Sequence, residues 1–140
     1  MNGYAYPWID EQILSETCMY LTSISIFSYG FTEAGELVPP AGHGEEDILR
    51  EARRQAVIPV LVLTPLGADG RFNNNLVAVL VRDLEIQQKL IRELWTVVQE
   101  KGYGEVDVDF EYVLAEDREL YADFVRRLRI IMIFSESELP

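Results

Sequence analysis

Apolar and polar positions follow two rhythms along this chain, and the switch between them repeats four times. Short runs rich in β-branched and aromatic residues predict strands at Gly3–Tyr6, Leu21–Tyr29, Val57–Leu63 and Gly104–Val113. Between and after them, apolar residues recur every three to four positions, which predicts amphipathic helices. The first helix follows Asp10, whose carboxylate suits the free amides of a helix start, and is expected to bury Ile13, Leu14 and Cys18. The second, about Glu45 to Gln55, opens with acids that suit the positive end of the helix dipole and turns Ile48, Leu49 and Ala52 inward. The third starts near Asp83, repeats Ile86, Leu90, Leu94 and Val97 or Val98, and ends at Lys101-Gly-Tyr-Gly104. The fourth spans about Glu116 to Arg129 with Leu120, Tyr121, Phe124, Val125 and Leu128 inward. The order βαβαβαβα predicts an α/β fold with parallel strands, because each return to a parallel strand needs a crossover segment.

The fourth strand departs from the others. Asp107, Asp109 and Glu111 occupy every second position of Gly104-Glu-Val-Asp-Val-Asp-Phe-Glu-Tyr-Val113, so they share one face, roughly 7 Å from one to the next. Two architectures fit the element order: an open doubly wound sheet and the first half of a (β/α)8 barrel. An open sheet packs helices on both faces, where carboxylates without partners are costly. A barrel turns one strand face inward, and acids near the carboxyl end of a strand then fall where barrel active sites lie. The acidic strand therefore favours the barrel.

Composition narrows the partners. With 140 residues, 49% of them hydrophobic, the chain has room for one compact domain and not for two. The formal charge of −12, from 24 acids against 12 bases, disfavours nucleic acid and an anionic membrane surface as partners. Neutral substrates fit better. Cys18 is the single cysteine, which rules out an internal disulfide, and its helical spacing from Leu14 makes it a small core residue. No apolar run approaches a transmembrane length, and Met1–Pro7 lacks the basic and apolar regions of a secretory signal, so the chain as given carries no export address.

On residue chemistry alone, three readings of the carboxylates stand open. They are a solvated amphipathic edge, a hard-cation site for Mg2+ or Ca2+, or an acid catalyst with partners that tune it. Divalent sites on barrels draw ligands from several strands, and no second acidic cluster ends another strand here, so no metal is expected. His43, flanked by glycines, has neither a cysteine nor a second histidine beside it and reads as a solvated loop residue.

Asp107-Val-Asp109-Phe-Glu111 resembles the strand-four signature of family 18 glycoside hydrolases, in which two aspartates and a terminal glutamate alternate along one barrel strand. Gly3-Tyr-Ala-Tyr-Pro7, Ser25-Ile-Phe-Ser-Tyr-Gly-Phe-Thr32, Leu63-Thr-Pro-Leu66 and Gly70-Arg-Phe-Asn-Asn-Asn75 extend the resemblance to the branch of spore-forming bacteria associated with LysM peptidoglycan hydrolases. The resemblance implies Glu111 as the general acid that protonates the leaving glycosidic oxygen. It implies Asp109 as the group orienting the substrate's own N-acetyl group, whose carbonyl attacks the anomeric carbon, and Asp107 as the support of Asp109. Gly104 stands where the family commonly has a further aspartate, and Thr64-Pro65 replaces a Ser- and Gly-rich third-strand ending, which leaves the glycan open.

For substrate binding, Tyr29 with Phe31 at the top of the second strand and Tyr112 beside the glutamate are the aromatic candidates. Asn73, Asn74 and Asn75 read as turn and cap residues.

A full (β/α)8 barrel takes about 250 residues, starting from about 200. The fold class is therefore read as the first half of a (β/α)8 TIM barrel, truncated after the fourth unit. Residues 1–128 form the barrel half and 129–140 a divergent tail, in which Ile130–Phe134 is a candidate fifth strand. The implied function is substrate-assisted, retaining hydrolysis of β-1,4-linked N-acetylglucosamine polymers, peptidoglycan or chitin, with no cofactor. The alternative is a non-catalytic sugar-binding or relic half-barrel. The expected partners are an N-acetylglucosamine-containing glycan and a second copy, in a homodimer covering the exposed half-barrel surface. Localisation is not readable from the residues; the resemblance points to the cell envelope or spore.

Overall fold

A computed structural model describes residues 1–133. Four parallel strands, β1 (Asn2–Ala5), β2 (Ser23–Phe31), β4 (Ile58–Leu63) and β5 (Glu105–Val108), stand side by side in chain order. A two-residue strand, β3 (Leu37–Val38), turns back antiparallel on the end of β2. Helices α1 (Glu11–Cys18), α2 (Gly44–Arg54), α3 (Asn75–Val81), α4 (Leu84–Lys101) and α5 (Arg118–Met132) fill the crossovers and follow β5.

Local signals start α1 and α4 and stop α4 as expected. Asp10 Oδ1 accepts from the amides of Gln12 and Ile13 at 2.9 and 3.1 Å, and Asp83 Oδ1 does the same for Glu85 and Ile86 at 2.9 and 3.2 Å. Gly102 closes α4 in the left-handed conformation, φ 77°, its amide bonded to Val98 O.

One face of every strand joins a single core with the helices. Ala5, Ile24, Ile26, Leu61, Leu63 and Phe110 pack with Leu14, Ile48, Leu49, Leu80, Leu90, Leu94, Phe124 and Leu128. The opposite face carries Asn2, Ser23, Ser25, Glu105 and Asp107, aligned by the registers Asn2↔Ser23, Ser25↔Val60, Val60↔Glu105 and Val62↔Asp107. Core on one face and polar groups on the other is the pattern of a singly wound sheet, and the expected choice against a doubly wound one agrees with it. The middle of the polar face, at Ser25, Val60 and Val62, is buried, whereas Tyr4 and Asp107 at its margins are exposed. Expected exposure of the whole face is thus corrected, in keeping with the curl of a twisted parallel sheet.

Three further details differ from the sequence expectations. Ile13 is exposed because α1 buries the i, i+4 pair Leu14 and Cys18, which leaves it about 100° off the buried stripe; Leu120 is exposed as well, in the first turn of α5, although it continues the i, i+4 row of Phe124 and Leu128. Ile130–Met132 continue α5 instead of starting a fifth strand, because the helical period of Phe124 and Leu128 runs on without a cap; Phe134 lies outside the described residues. Among the described residues no helix is long and apolar enough to cross a membrane.

Candidate functional site

A cleft of ≈ 680 Å3 opens at the carboxyl ends of the strands, lined by Asp109 and Glu111 on one side and by Tyr6, Trp8, Phe27 and Phe72 on others. The carboxylates arrive there by alternation. Asp109 N donates to Leu63 O at 2.8 Å, which carries the β4 pairing one residue past β5 and keeps Asp109 on the polar face. Phe110, between the acids, points the other way and packs on Phe31, Tyr121 and Phe124 with ring centroids 5.7, 5.8 and 6.3 Å away. That aromatic cluster anchors the segment that presents both carboxylates. Asp107 lies one step lower, in a separate recess of ≈ 370 Å3 with Asn2, Ser23 and Ser25. The Tyr121 phenol is pushed up by burial and, beyond that, by the nearby Asp107 and Asp109 charges.

Opposite the acids, Trp8 sits at the tip of a turn closed by Ile9 N donating to Tyr6 O at 3.0 Å. Its ring stacks on Tyr6 at 4.7 Å and 17°, and Tyr6 leans on Phe27 at 5.5 Å. Trp8 stays 75% exposed, a flat apolar platform facing water. Between platform and acids, the Ser28 and Thr64 hydroxyls meet at 3.1 Å. Asn74 also lines the cleft, while Asn73 Oδ1 accepts from Asn75 N at 3.1 Å, in agreement with its expected turn role.

Two glycines hold these loops in place. A Cβ on Gly44 would lie 1.4 Å from Pro7 O, and one on Gly30 would lie 1.8 Å from Leu66 O, the carbonyl that accepts from Phe31 N at 3.0 Å. Any side chain at either position drives a loop off the cleft. Gly44→Ala is therefore expected to lower stability by about 1–3 kcal/mol through overpacking and to shift the Trp8 turn. Urea unfolding with Trp fluorescence checks this, and an unchanged midpoint and spectrum would refute it.

Known proteins resemble this chain in sequence and in fold. The chain is 34% identical over 110 residues to the cortical fragment-lytic enzyme of Bacillus cereus, covering 79% of this chain and 25% of that protein. It is 28% identical over 119 residues to the Bacillus subtilis cortical fragment-lytic enzyme, covering 85% and 27%. The crystal structure of the Bacillus cereus spore cortex-lytic enzyme SleL superposes with a TM-score of 0.82 at 29% identity, covering 94% of this chain and 32% of that one. The chain is similar to spore cortex-lytic enzymes. A class V chitinase from Pseudomonas fluorescens Pf-5, TM-score 0.74 at 22% identity over 90% of this chain and 40% of its own, shares the fold. No protein-family model matches the chain. It spans about a quarter of the length of these curated cortex-lytic relatives.

The aromatic candidates need correction. Tyr29 is 2% exposed and Phe31 is buried, both on the helix side of the sheet, so neither reaches the cleft. The pairing of β2 with β4 jumps from Ile26↔Leu61 to Tyr29↔Leu63, three residues against two. This bulge inverts the alternation that would otherwise turn Tyr29 toward the same face as Ser25 and Phe27. Tyr112 is 71% exposed and is not among the residues lining the cleft: β5 ends at Val108 and the chain bends at Glu111, so the alternation expected to run on to Val113 stops before it. Sequence reasoning passed over Trp8, Phe27 and Phe72. The signal for Trp8 was a large aromatic just past a strand-ending proline, outside any apolar period.

The inverted Tyr29 instead joins a buried polar cluster behind the sheet. Its hydroxyl and that of Tyr103 both donate to Glu45 Oε2 at 2.5 Å, and Lys101 Nζ binds Glu45 Oε1. Burial first, then the bond to Glu45, raises both phenols far above their ordinary range. Burial pulls Lys101 down, but Glu45 and Glu46 outweigh it and leave the ammonium raised.

Proposed function

We propose that this cleft binds and cleaves a glycan rich in N-acetylglucosamine. The observation that carries the reading is the pair Asp109 and Glu111 facing an exposed Trp8–Tyr6 stack across one cleft. Sugar rings offer flat C–H faces to such a platform, while the bond to be cut lies against the acids. Glu111, three residues past the end of β5, donates a proton to the leaving glycosidic oxygen. Asp109 orients the substrate's N-acetyl group, whose carbonyl oxygen attacks the anomeric carbon as the glycosidic bond breaks. Water then opens that internal adduct from the face the leaving group vacated, giving its proton back to the Glu111 carboxylate, so configuration is retained, and Asp107 supports Asp109 from below. The relatives named cortical fragment-lytic enzymes support a peptidoglycan-type β-1,4-linked polymer, and the four strand–helix units correspond in this reading to the first half of a (β/α)8 barrel. Residues 1–128 carry that half, and a second copy is the proposed cover for its polar face.

Release of a chromogenic group from a short N-acetylglucosamine oligomer by the purified chain tests the reading. Turnover unaffected by a chelator is expected; no release from folded protein overturns catalysis. A second reading, sugar binding without cleavage, draws on the exposure of Trp8 alone. Trp8→Ala is expected to weaken binding of the N-acetylglucosamine tetramer about two- to tenfold, the weight of one aromatic stacking contact, with kcat within about twofold. Calorimetric titration beside the rate assay separates the two numbers. Unchanged affinity would remove Trp8 from the site.

A further inference from the structure

Among the described residues the sheet ends in two open edges. β1 and β5 are its outer strands, four residues each and parallel, so each presents an unpaired row of backbone amides and carbonyls. Apolar exposure gathers beside them. From Ser23 to Gly104 the only large apolar side chains left exposed are Ile58, Phe72 and Leu84; all others among the described residues precede Ser23 or follow Gly104, on the units that bear the edges. The two end helices also carry opposite charge. Residues 1–22, which include α1, hold Asp10, Glu11 and Glu16 and no lysine or arginine. In α5, Arg118, Arg126, Arg127 and Arg129 stand against Glu119 and Asp123, which makes it the one helix of net positive charge among the described residues. Arg127 Nη1 donates to Gln87 Oε1 at 2.9 Å and so marks the flank of α5 turned to α4. Arg118 and Arg129, about 160–180° round the helix from it at 100° per residue, are exposed and in no ion pair among the described residues. In α1, Arg54 Nη2 donates to Ser15 Oγ at 3.4 Å and marks the flank turned to α2. The exposed Ile13 lies about 160° round from Ser15, with Glu16 about 60° from Ile13.

We infer that two copies of this chain close into one ring of eight parallel strands, β5 of each beside β1 of the other and α5 against the partner's α1. This rests on the half-barrel reading above and specifies how the second copy covers it. A twofold axis along the strands keeps all of them parallel and makes two identical seams, so no edge is left open. A twofold axis across the strands would pair β1 with β1 antiparallel and leave both β5 edges bare. The ring also sets the free arginines of α5 against the acids of α1, and Ile133 against Ile13 and Tyr20, all three exposed in the single copy.

Sedimentation velocity on the native chain and two charge-reversed variants tests this. The first variant carries Arg118→Glu and Arg129→Glu, the second Ile13→Lys and Glu16→Lys, and all four positions are exposed. The native chain is expected to be a dimer. Each variant alone is expected to have a dimer dissociation constant about ten- to a hundredfold higher, since both of its seams oppose like charges. An equimolar mixture of the two is expected to regain the dimer, because one seam of the mixed pair is native and the other has both charges reversed. Recovery on mixing also shows that both variants are folded. A contact between like helices would answer to one reversal and not to the other. A dimer that ignores either reversal, or that mixing does not restore, overturns the ring and leaves the second-copy cover standing. Assemblies that grow beyond a dimer with concentration overturn it as well, since the seams then fail to close. A native chain that stays monomeric up to about 100 µM overturns ring and cover together and leaves the glycan reading to its own assay.

Discussion

Glu111→Gln is expected to lower the release of a chromogenic group from an N-acetylglucosamine oligomer by about 10^2–10^4-fold, the contribution of a positioned general acid. That loss equals about 3–5 kcal/mol of barrier. The amide keeps the size and hydrogen-bonding reach of the carboxyl but has no proton to give. Phe110, packed on Phe31 and Phe124, holds the backbone of the segment whether or not the carboxyl is present. Oligomer affinity is therefore expected to stay within about threefold, because the Trp8–Tyr6 platform on the far side of the cleft is untouched. Single-turnover rates and calorimetric binding on the same preparations check both halves. Undiminished turnover would move the acid elsewhere, and lost affinity would mean that Glu111 holds the glycan instead of protonating it.

The second large effect lies behind the sheet. Glu45→Ala is expected to cost about 3 kcal/mol of folding stability, the low end for breaking a buried pair, because the Lys101 ammonium keeps some contact with water. The Tyr29 and Tyr103 hydroxyls lose their shared acceptor inside the core, where an unmet donor is penalised by about 1–3 kcal/mol. Glu45→Gln, which retains one carbonyl oxygen, is expected to lose less. The effect also depends on pH in a definite direction. Tyr29, Tyr103 and Lys101 all have folded-state values raised above their unfolded ones, so their contribution is complete below about pH 10 and is lost as pH rises beyond it. The gap between native chain and Glu45→Ala should therefore be constant from pH 7 to 9 and narrow above pH 10. Urea midpoints across that range measure it, and a gap that widens with pH would contradict the cluster as described.

A native chain stabilised through Glu45 also keeps its site in register. Glu45 stands next to Gly44, whose missing side chain admits Pro7 and with it the turn bearing Trp8. Loss of the cluster is thus expected to loosen the cleft from behind, and Glu45→Ala should show weakened oligomer binding alongside its lowered stability.

What the amino-acid sequence by itself determined here is everything set by neighbours a few residues apart. Alternation along Asp107–Glu111 put three acids on one face, and Asp10, Asp83 and Gly102 marked helix ends through bonds to amides and carbonyls two to four residues away. The fourfold change of rhythm was enough for an α/β chain with parallel strands, and the core stripe of Leu90 and Leu94 followed from helical spacing. The tertiary structure decided what depends on pairing between distant segments. The bulge in β2 exists only against the register of β4, and it sent Tyr29 into the core and left the exposed aromatic wall of the cleft to Tyr6 and Trp8. Glu45, an ordinary acid at a helix start when read locally, became a buried acceptor because Lys101 and Tyr103 arrive from 56 and 58 residues away. Local periodicity carries no information about such meetings, since a one-residue slip in strand pairing reverses every side chain beyond it at little cost to the pattern itself.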